Sequence, residues 1–273
     1  MTLPPPCLVG VPYDASSSFL RGPAEAPALI RAALHSPAGN DWTEAGINLF
    51  APGGLADAGD LDLPNEPGEH TRERITEGIA RVLRGGARPI SLGGDHSITY
   101  PILRAVHRVH PRPALLHIDA HSDLYDHYEG DRHSHACPFA RVMEEGLCSR
   151  LVQVGLRTLS AHQREQSQRF GTQVIEMRHF AAGARPRIEG PVYVSFDMDA
   201  LDPAFAPGVS HWEPGGLSVR DVISMIHALE GPIIGADVVE FNPARDRTGL
   251  TAAVAAKIVR ELAGTMLRPA GST

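Results

Sequence analysis

Cysteine is scarce. The 273-residue chain has three, Cys7, Cys137 and Cys148, and no C-x-x-C pair, which excludes a disulfide framework and a zinc knuckle. Such sparse thiols fit a reduced, cytoplasmic protein. Basic runs are missing too. Lys and Arg total 25 against 32 Asp and Glu, a formal net charge of −7, and no aromatic-basic stripe interrupts the pattern. That balance speaks against a nucleic-acid partner. No apolar run approaches the roughly 20 residues of a membrane span. The opening MTLPPPCLVGVPYD has neither a positive n-region nor an apolar h-region, so it does not read as a secretory signal. No internal repeat and no dividing linker is present, so residues 1–273 are expected to form one domain, with 36–40 and 60–68 as surface loops.

What the chain does have is a succession of short Val/Ile/Leu-rich runs. Strands are predicted at Cys7–Val11, Arg88–Leu92, Ala114–Asp119, Leu151–Val154, Thr172–Ile175, Val192–Asp197 and Ile233–Val239. They alternate little, as parallel strands buried on both faces do. Between them lie helical stripes: Ile75, Ile79, Val82 and Leu83, stopped by Gly85-Gly86; Val222, Ile223, Ile226 and Leu229; and Leu250, Val254, Ile258 and Leu262. Strand-then-helix repetition predicts an α/β protein, a single three-layer α/β/α domain around a doubly wound, mainly parallel sheet. The hydrophobic fraction of 42% is enough for a sizeable core.

Acids and histidines collect at the carboxyl ends of these strands, where open α/β sheets bind ligands. Asp95-His96 follows RPISLGG, Asp119-Ala-His121-Ser-Asp123 follows ALLHI, Asp197-Met-Asp199 ends VYVSF, and Glu240 follows IIGADVV. Residues at i, i+2 and i+4 of an extended segment share a face, so Asp119, His121 and Asp123 can converge, as can Asp197 and Asp199. Burying that many carboxylates is costly unless a cation holds them. With His96 the set comprises four carboxylates and two imidazoles, too large for one ion and suited to two bridged ions about 3.5–4 Å apart. Oxygen-rich ligands with imidazole and no thiolate favour Mn²⁺-like ions. A water shared by two such ions becomes a hydroxide nucleophile near neutral pH.

These residues resemble those of the ureohydrolases, the arginase and agmatinase family. Gly93-Gly94-Asp95-His96-Ser97, Asp119-Ala120-His121-Ser122-Asp123 and Ser195-Phe196-Asp197-Met198-Asp199-Ala200-Leu201-Asp202-Pro203 occur in the family's order. EGDRHSHACPFARVMEEG, DPAFAPGVSHWEPGGLS and GADVVEFNPARD are especially similar to plant-type arginases and their bacterial agmatinase-like relatives. The resemblance implies two Mn²⁺ per subunit, with Ni²⁺ or Co²⁺ as substitutes. His96, Asp119, Asp123 and Asp197 would hold one ion, and Asp119, His121, Asp197 and Asp199 the other. It implies hydrolysis of a guanidino group to urea and a primary amine. Glu240 would give a bidentate contact to the guanidinium, and His135 would shuttle a proton to the leaving amine. It also implies a homo-oligomer, a trimer or hexamer.

Substrate choice is assigned to the loop LYDHYEGDRHSH, residues 124–135. Its acids Asp126, Glu129 and Asp131 would repel an α-carboxylate unless Arg132 compensated. Asp126, Asp131 and Arg132 are therefore candidate substrate contacts, and agmatine is favoured over arginine. His127 and His133 share the loop with His135 and are alternatives to it. Asp202 reads equally as a ligand-orienting acid or as a turn residue, and Cys137 as a packing residue. The rival readings are a hydrolase of another guanidino compound, a non-catalytic homologue, and a zinc deacetylase. Six ligands argue against the mononuclear site of the last.

Overall fold

The computed structural model describes residues 3–268. In chain order the elements are β1 (Pro6–Gly10), α1 (Ala26–Leu34), β2 (Ala56–Asp60), α2 (Glu69–Arg84), β3 (Arg88–Leu92), α3 (Thr99–Val109), β4 (Ala114–Ile118), α4 (Pro138–Glu144), β5 (Arg150–Val154), α5 (Ala161–Phe170), β6 (Gln173–Ile175), α6 (Met177–Ala181), β7 (Val192–Asp197), α7 (Val219–His227), β8 (Ile233–Val239) and α8 (Leu250–Leu267). The eight strands form one sheet in the order β2-β1-β3-β8-β7-β4-β5-β6, and every pairing is parallel.

Strands β3, β7 and β8 fall on the residues predicted for them; β4, β5 and β6 differ by one residue at one end, and β1 by one residue at both. The exception is β2, ADAGD, which is exposed at all five positions at the edge of the sheet. It carries no apolar run because neither face is buried, so hydrophobic pattern could not reveal it.

Alternate strand residues feed two cores. Leu8, Leu116 and Val194 pack with α1, α7 and α8 on one face; Val9, Leu115 and Tyr193 pack with α2, α3 and α4 on the other. Burying each such Leu or Val contributes about 1.5–3 kcal/mol. Helix ends follow local chemistry. Ser160 and Gln163 form a reciprocal capping box at the start of α5, and left-handed Gly171 ends it. Ser218 and Asp221 do the same at the start of α7.

The strand order decides where chemistry can occur. Strands β3, β8, β7 and β4 are consecutive neighbours in the middle of the sheet. These are the four strands whose carboxyl ends carry His96, Glu240, Asp197 and Asp119. Sequence-distant clusters are thereby brought side by side.

Candidate metal centre

The end of β3 is packed too closely for side chains. A Cβ on Gly94 would lie 1.7 Å from the Tyr13 carbonyl oxygen, and one on Gly93 2.6 Å from Val239 Cγ1. Gly94 also accepts the Glu240 N–H (2.9 Å), and Asp95 N–H donates to the Tyr13 carbonyl (2.8 Å). The two glycines thus hold the β1 loop, the His96 turn and the end of β8 together. The Asp95 carboxylate caps that turn by accepting Ser97 N–H (3.1 Å).

His96 is completely buried. Its Nδ1 lies 3.2 Å from Asp119 Oδ2, 3.1 Å from Asp123 Oδ2 and 3.1 Å from Asp197 Oδ2. It makes no hydrogen bond to any of them. The other ring nitrogen, Nε2, is 3.0 Å from Ser195 Oγ, whose hydroxyl donates to Asp237 Oδ1 (2.7 Å). Asp237 Oδ2 also accepts from Tyr193 Oη (2.8 Å) and Thr99 Oγ1 (3.0 Å). That chain fixes Nε2 as the protonated nitrogen and turns the Nδ1 lone pair toward three carboxylate oxygens. A lone pair facing anionic oxygens is repulsive unless a cation lies between them. A buried Nδ1 without a hydrogen bond, among three acids, therefore fits a metal ligand set.

The second half of the cluster adjoins it. His121 Nδ1 lies 3.1 Å from Asp199 Oδ2 and 3.5 Å from Asp119 Oδ1. Asp119, His121 and Asp199 offer ligand atoms within 4.8 Å of one another. Backbone amides orient the acids: His121 N–H donates to Asp119 Oδ1 (2.6 Å) and Asp199 N–H to Asp197 Oδ1 (2.7 Å). All six candidate ligands of the sequence thus meet in one place. Asp123 at φ +47° and Glu240 at φ +63° are left-handed, a conformation costing non-glycine residues about 1–3 kcal/mol. Two of the four non-glycine residues with positive φ among the described residues are therefore site residues.

Electrostatics carry the same message. Burial and the charges of Asp199 and Asp119 push the Asp197 carboxyl well above its ordinary range. Burial opposes charge on His96, yet Asp119, Asp123 and Asp197 together raise its imidazolium well above the usual value. His121 is raised likewise against its burial, by Asp199 and Asp119. Such mutual demand for positive charge is what divalent ions satisfy.

His135 and Glu240 form the adjoining part. His135 Nδ1 lies 2.8 Å from Glu240 Oε1, which also accepts the His96 N–H at 2.8 Å. Burial disfavours the charged ring, but Glu240, Asp95 and Asp123 push the His135 imidazolium up to about 9. Burial would raise Glu240, yet His135 holds it below its ordinary value. The bidentate contact to guanidinium expected of Glu240 is modified here. Oε1 is already shared by two donors, and Oε2 is the oxygen left without a protein hydrogen bond among the described residues.

A cavity of about 430 Å³ opens over the cluster. Asp123, Asp197, Asp199, Glu240 and Glu213 supply acids, and no lysine or arginine among the described residues lines it. The three loop residues proposed to contact substrate, Asp126, Asp131 and Arg132, are not among its lining residues. Asp126 accepts His127 N–H (2.8 Å) and faces His162 Nε2 (3.2 Å). Asp131 accepts His133 N–H (2.8 Å), and Arg132 pairs with Glu144 (2.9 Å). The cause is Arg141, buried beneath the loop. It donates to the carbonyls of Asp126 (2.8 Å) and Arg132 (2.7 Å) and so fixes how the loop folds. Tyr125, Tyr128, Ser160 and Gln163 line the wall instead. Of the loop histidines only His135 reaches the cavity; His127 is exposed and His133 stacks on Tyr100, 5.8 Å between centroids. Asp202 is a turn residue, accepting the amides of Ala204, Gly215 and Gly216.

One feature of the site was missed. Five apolar strands each carry one buried polar residue between their end residues, Gln153, His117, Ser195, Asp237 and Ser91, and these stand in register across β5-β4-β7-β8-β3. Gln153 Nε2 lies 2.9 Å from His117 Nδ1, and His117 Nε2 2.7 Å from Asp119 Oδ2, so this row orients Asp119 as Ser195 orients His96. A single polar residue inside each apolar run was the available signal.

The cysteines stand apart from this chemistry. All three are buried, and burial pushes Cys137 up to about 12 and Cys148 up to about 11. Thiols protonated at pH 8 do not react. A disulfide reagent is therefore expected to titrate no thiol in the native protein and all three after unfolding; fast labelling of the folded protein would contradict this.

The Arginase family sequence model matches residues 5–264. Arginase 1, mitochondrial, and Arginase 2, chloroplastic/mitochondrial, both of Arabidopsis thaliana, are 48% and 46% identical. The alignments cover 94% and 95% of this chain and 79% and 80% of theirs. The structure of arginase from Medicago truncatula aligns with TM-score 0.91 and 42% identity, covering 96% of this chain and 87% of that one. The agmatine ureohydrolase of Thermoplasma volcanium aligns with TM-score 0.84 and 32% identity, covering 96% and 89%. These names correct the cytoplasmic expectation, since they point to an organelle. Sparse thiols argue only against oxidising surroundings, and they do not distinguish one reducing compartment from another. With its fold, its clustered ligands and a family match over nearly its whole length, the chain belongs to the arginase family.

Proposed function

We propose that this protein is a binuclear, manganese-dependent hydrolase that converts arginine to ornithine and urea. The observation that carries the reading is the convergence of His96, Asp119, His121, Asp123, Asp197 and Asp199 at adjacent strand ends, with His96 Nδ1 turned into the acids. His96, Asp119, Asp123 and Asp197 would hold one ion, and Asp119, His121, Asp197 and Asp199 the other. When bound, the two ions supply positive charge and activate water at neutral pH. Carboxylate and imidazole donors without thiolate suit Mn²⁺.

The chain's own residues do the rest. The acids that line the cavity attract a guanidinium, and no lysine or arginine among the described residues stands in its wall. Glu240 holds His135 beside the cavity at 2.8 Å and favours its protonated form. When the guanidino C–N bond breaks, His135 gives its proton to the departing amine nitrogen, so that neutral amine leaves. The acid loop that favoured agmatine does not line the cavity, which removes the repulsion argued against an α-carboxylate. Hydroxyl and amide donors on Tyr128, Ser160 and Gln163 suit a carboxylate instead, with Tyr125 Oη donating to Ser160 Oγ (3.2 Å). The arginase names of relatives at 42–48% identity support the same choice. We further infer one catalytic domain over residues 1–273, assembled as a trimer or hexamer.

The test is urea release by Mn²⁺-loaded protein from arginine, agmatine and guanidinobutyrate side by side. Arginine is expected to lead in kcat/KM by at least about tenfold. Equal or faster hydrolysis of agmatine would overturn the arginine assignment, and Asp131→Asn is expected to leave the preference unchanged.

A further inference from the structure

The run Ser16-Ser17-Ser18 belongs to no motif singled out from the sequence, yet each serine has its own partner in the site. Ser16 N–H donates to Asp95 Oδ2 (2.9 Å), and its carbonyl accepts the His135 N–H (3.1 Å). Ser17 Oγ donates to Asp95 Oδ2 (3.4 Å). Ser18 reaches His135 itself: its Oγ lies 2.8 Å from Nε2, and its N–H donates to the same nitrogen at 3.2 Å. Ser18 also lines the cavity. The segment is clamped rather than draped. Tyr13 Oη lies 2.8 Å from Ser16 Oγ, and Asp14 Oδ2 accepts Gly22 N–H at 2.7 Å.

Both nitrogens of the shuttle imidazole are therefore held, Nδ1 by Glu240 and Nε2 by Ser18. The two partners differ in kind. A carboxylate only accepts, and a backbone N–H only donates. A hydroxyl does either, rotating to donate to a bare Nε2 and to accept from a protonated one. It is thus the one partner that fits Nε2 in both protonation states a shuttle passes through.

We propose that Ser18 is a positioning residue for His135, its hydroxyl fixing the ring through the proton-transfer step. This rests on the hydrolase reading, and a wild-type protein that releases no urea from any guanidino compound would defeat that reading before Ser18 is at issue. In an active enzyme, Ser18→Ala is expected to lower kcat about tenfold, the size of one lost hydrogen bond in a buried site. KM is expected to stay within about twofold, and the number of bound metal ions to stay at the wild-type value. Ser18→Thr, which keeps the hydroxyl, should recover most of kcat. Three outcomes overturn the proposal: unchanged kcat in Ser18→Ala; loss of metal or a rise in KM as the main defect; or Ser18→Thr as slow as Ser18→Ala with its fold and metal content intact.

Discussion

Asp119→Asn is expected to reduce urea release from arginine by at least about 10³-fold, some 4 kcal/mol, and to lower bound metal in the same preparation. Asp119 is the acid placed between both histidines of the cluster. Its Oδ2 faces His96 Nδ1 at 3.2 Å and its Oδ1 faces His121 Nδ1 at 3.5 Å. Asparagine has the same shape and keeps one carbonyl to accept the His121 N–H, so the local fold should persist. What goes is the negative charge that two ions share. The amide would also set a donor against His117 Nε2, itself a donor to the carboxylate at 2.7 Å. Metal content by elemental analysis and a urea assay check both halves. Full metal occupancy with wild-type turnover would show that Asp119 holds neither ion.

His135→Ala is expected to cost about 10²–10⁴-fold in kcat, the usual range for a positioned proton donor, with metal content unchanged. Glu240→Gln should fall in the same range, and the double variant should be little worse than the poorer single one, because the two side chains act as a pair at 2.8 Å. The pH profile gives the sign. His135 donates only while protonated, and Glu240 is the largest of the influences that raise it to about 9. Activity is therefore lost as pH rises through that value, and removing the Glu240 charge moves the decline to lower pH. A decline that stays in place in Glu240→Gln would mean that another group is the donor.

Much of the fold and the metal cluster was legible because both are written in local pattern. Val/Ile/Leu runs mark strands covered on both faces, and acids placed straight after such runs, as at Asp119 and Asp197, demand an explanation that only a cation supplies. Three things needed the folded chain. Strand β2 escaped because an edge strand of Ala, Gly and Asp buries nothing. The row from Gln153 to Ser91 escaped because its members align only once the strand order is known. The direction of the 124–135 loop escaped because it is set by Arg141, a residue outside the loop, whose hydrogen bonds to two loop carbonyls leave Asp131 and Arg132 out of the cavity. Ser18 belongs with these, since it meets His135 across 117 positions of sequence.

The most direct test of the two-ion centre is a titration. Protein stripped by a chelator is dialysed against increasing Mn²⁺, and bound metal and urea release are measured on the same samples. Two ions per chain at saturation, with activity rising as they bind, is the predicted result. A plateau at one ion per chain, or arginine hydrolysis that persists in the chelator, would contradict it.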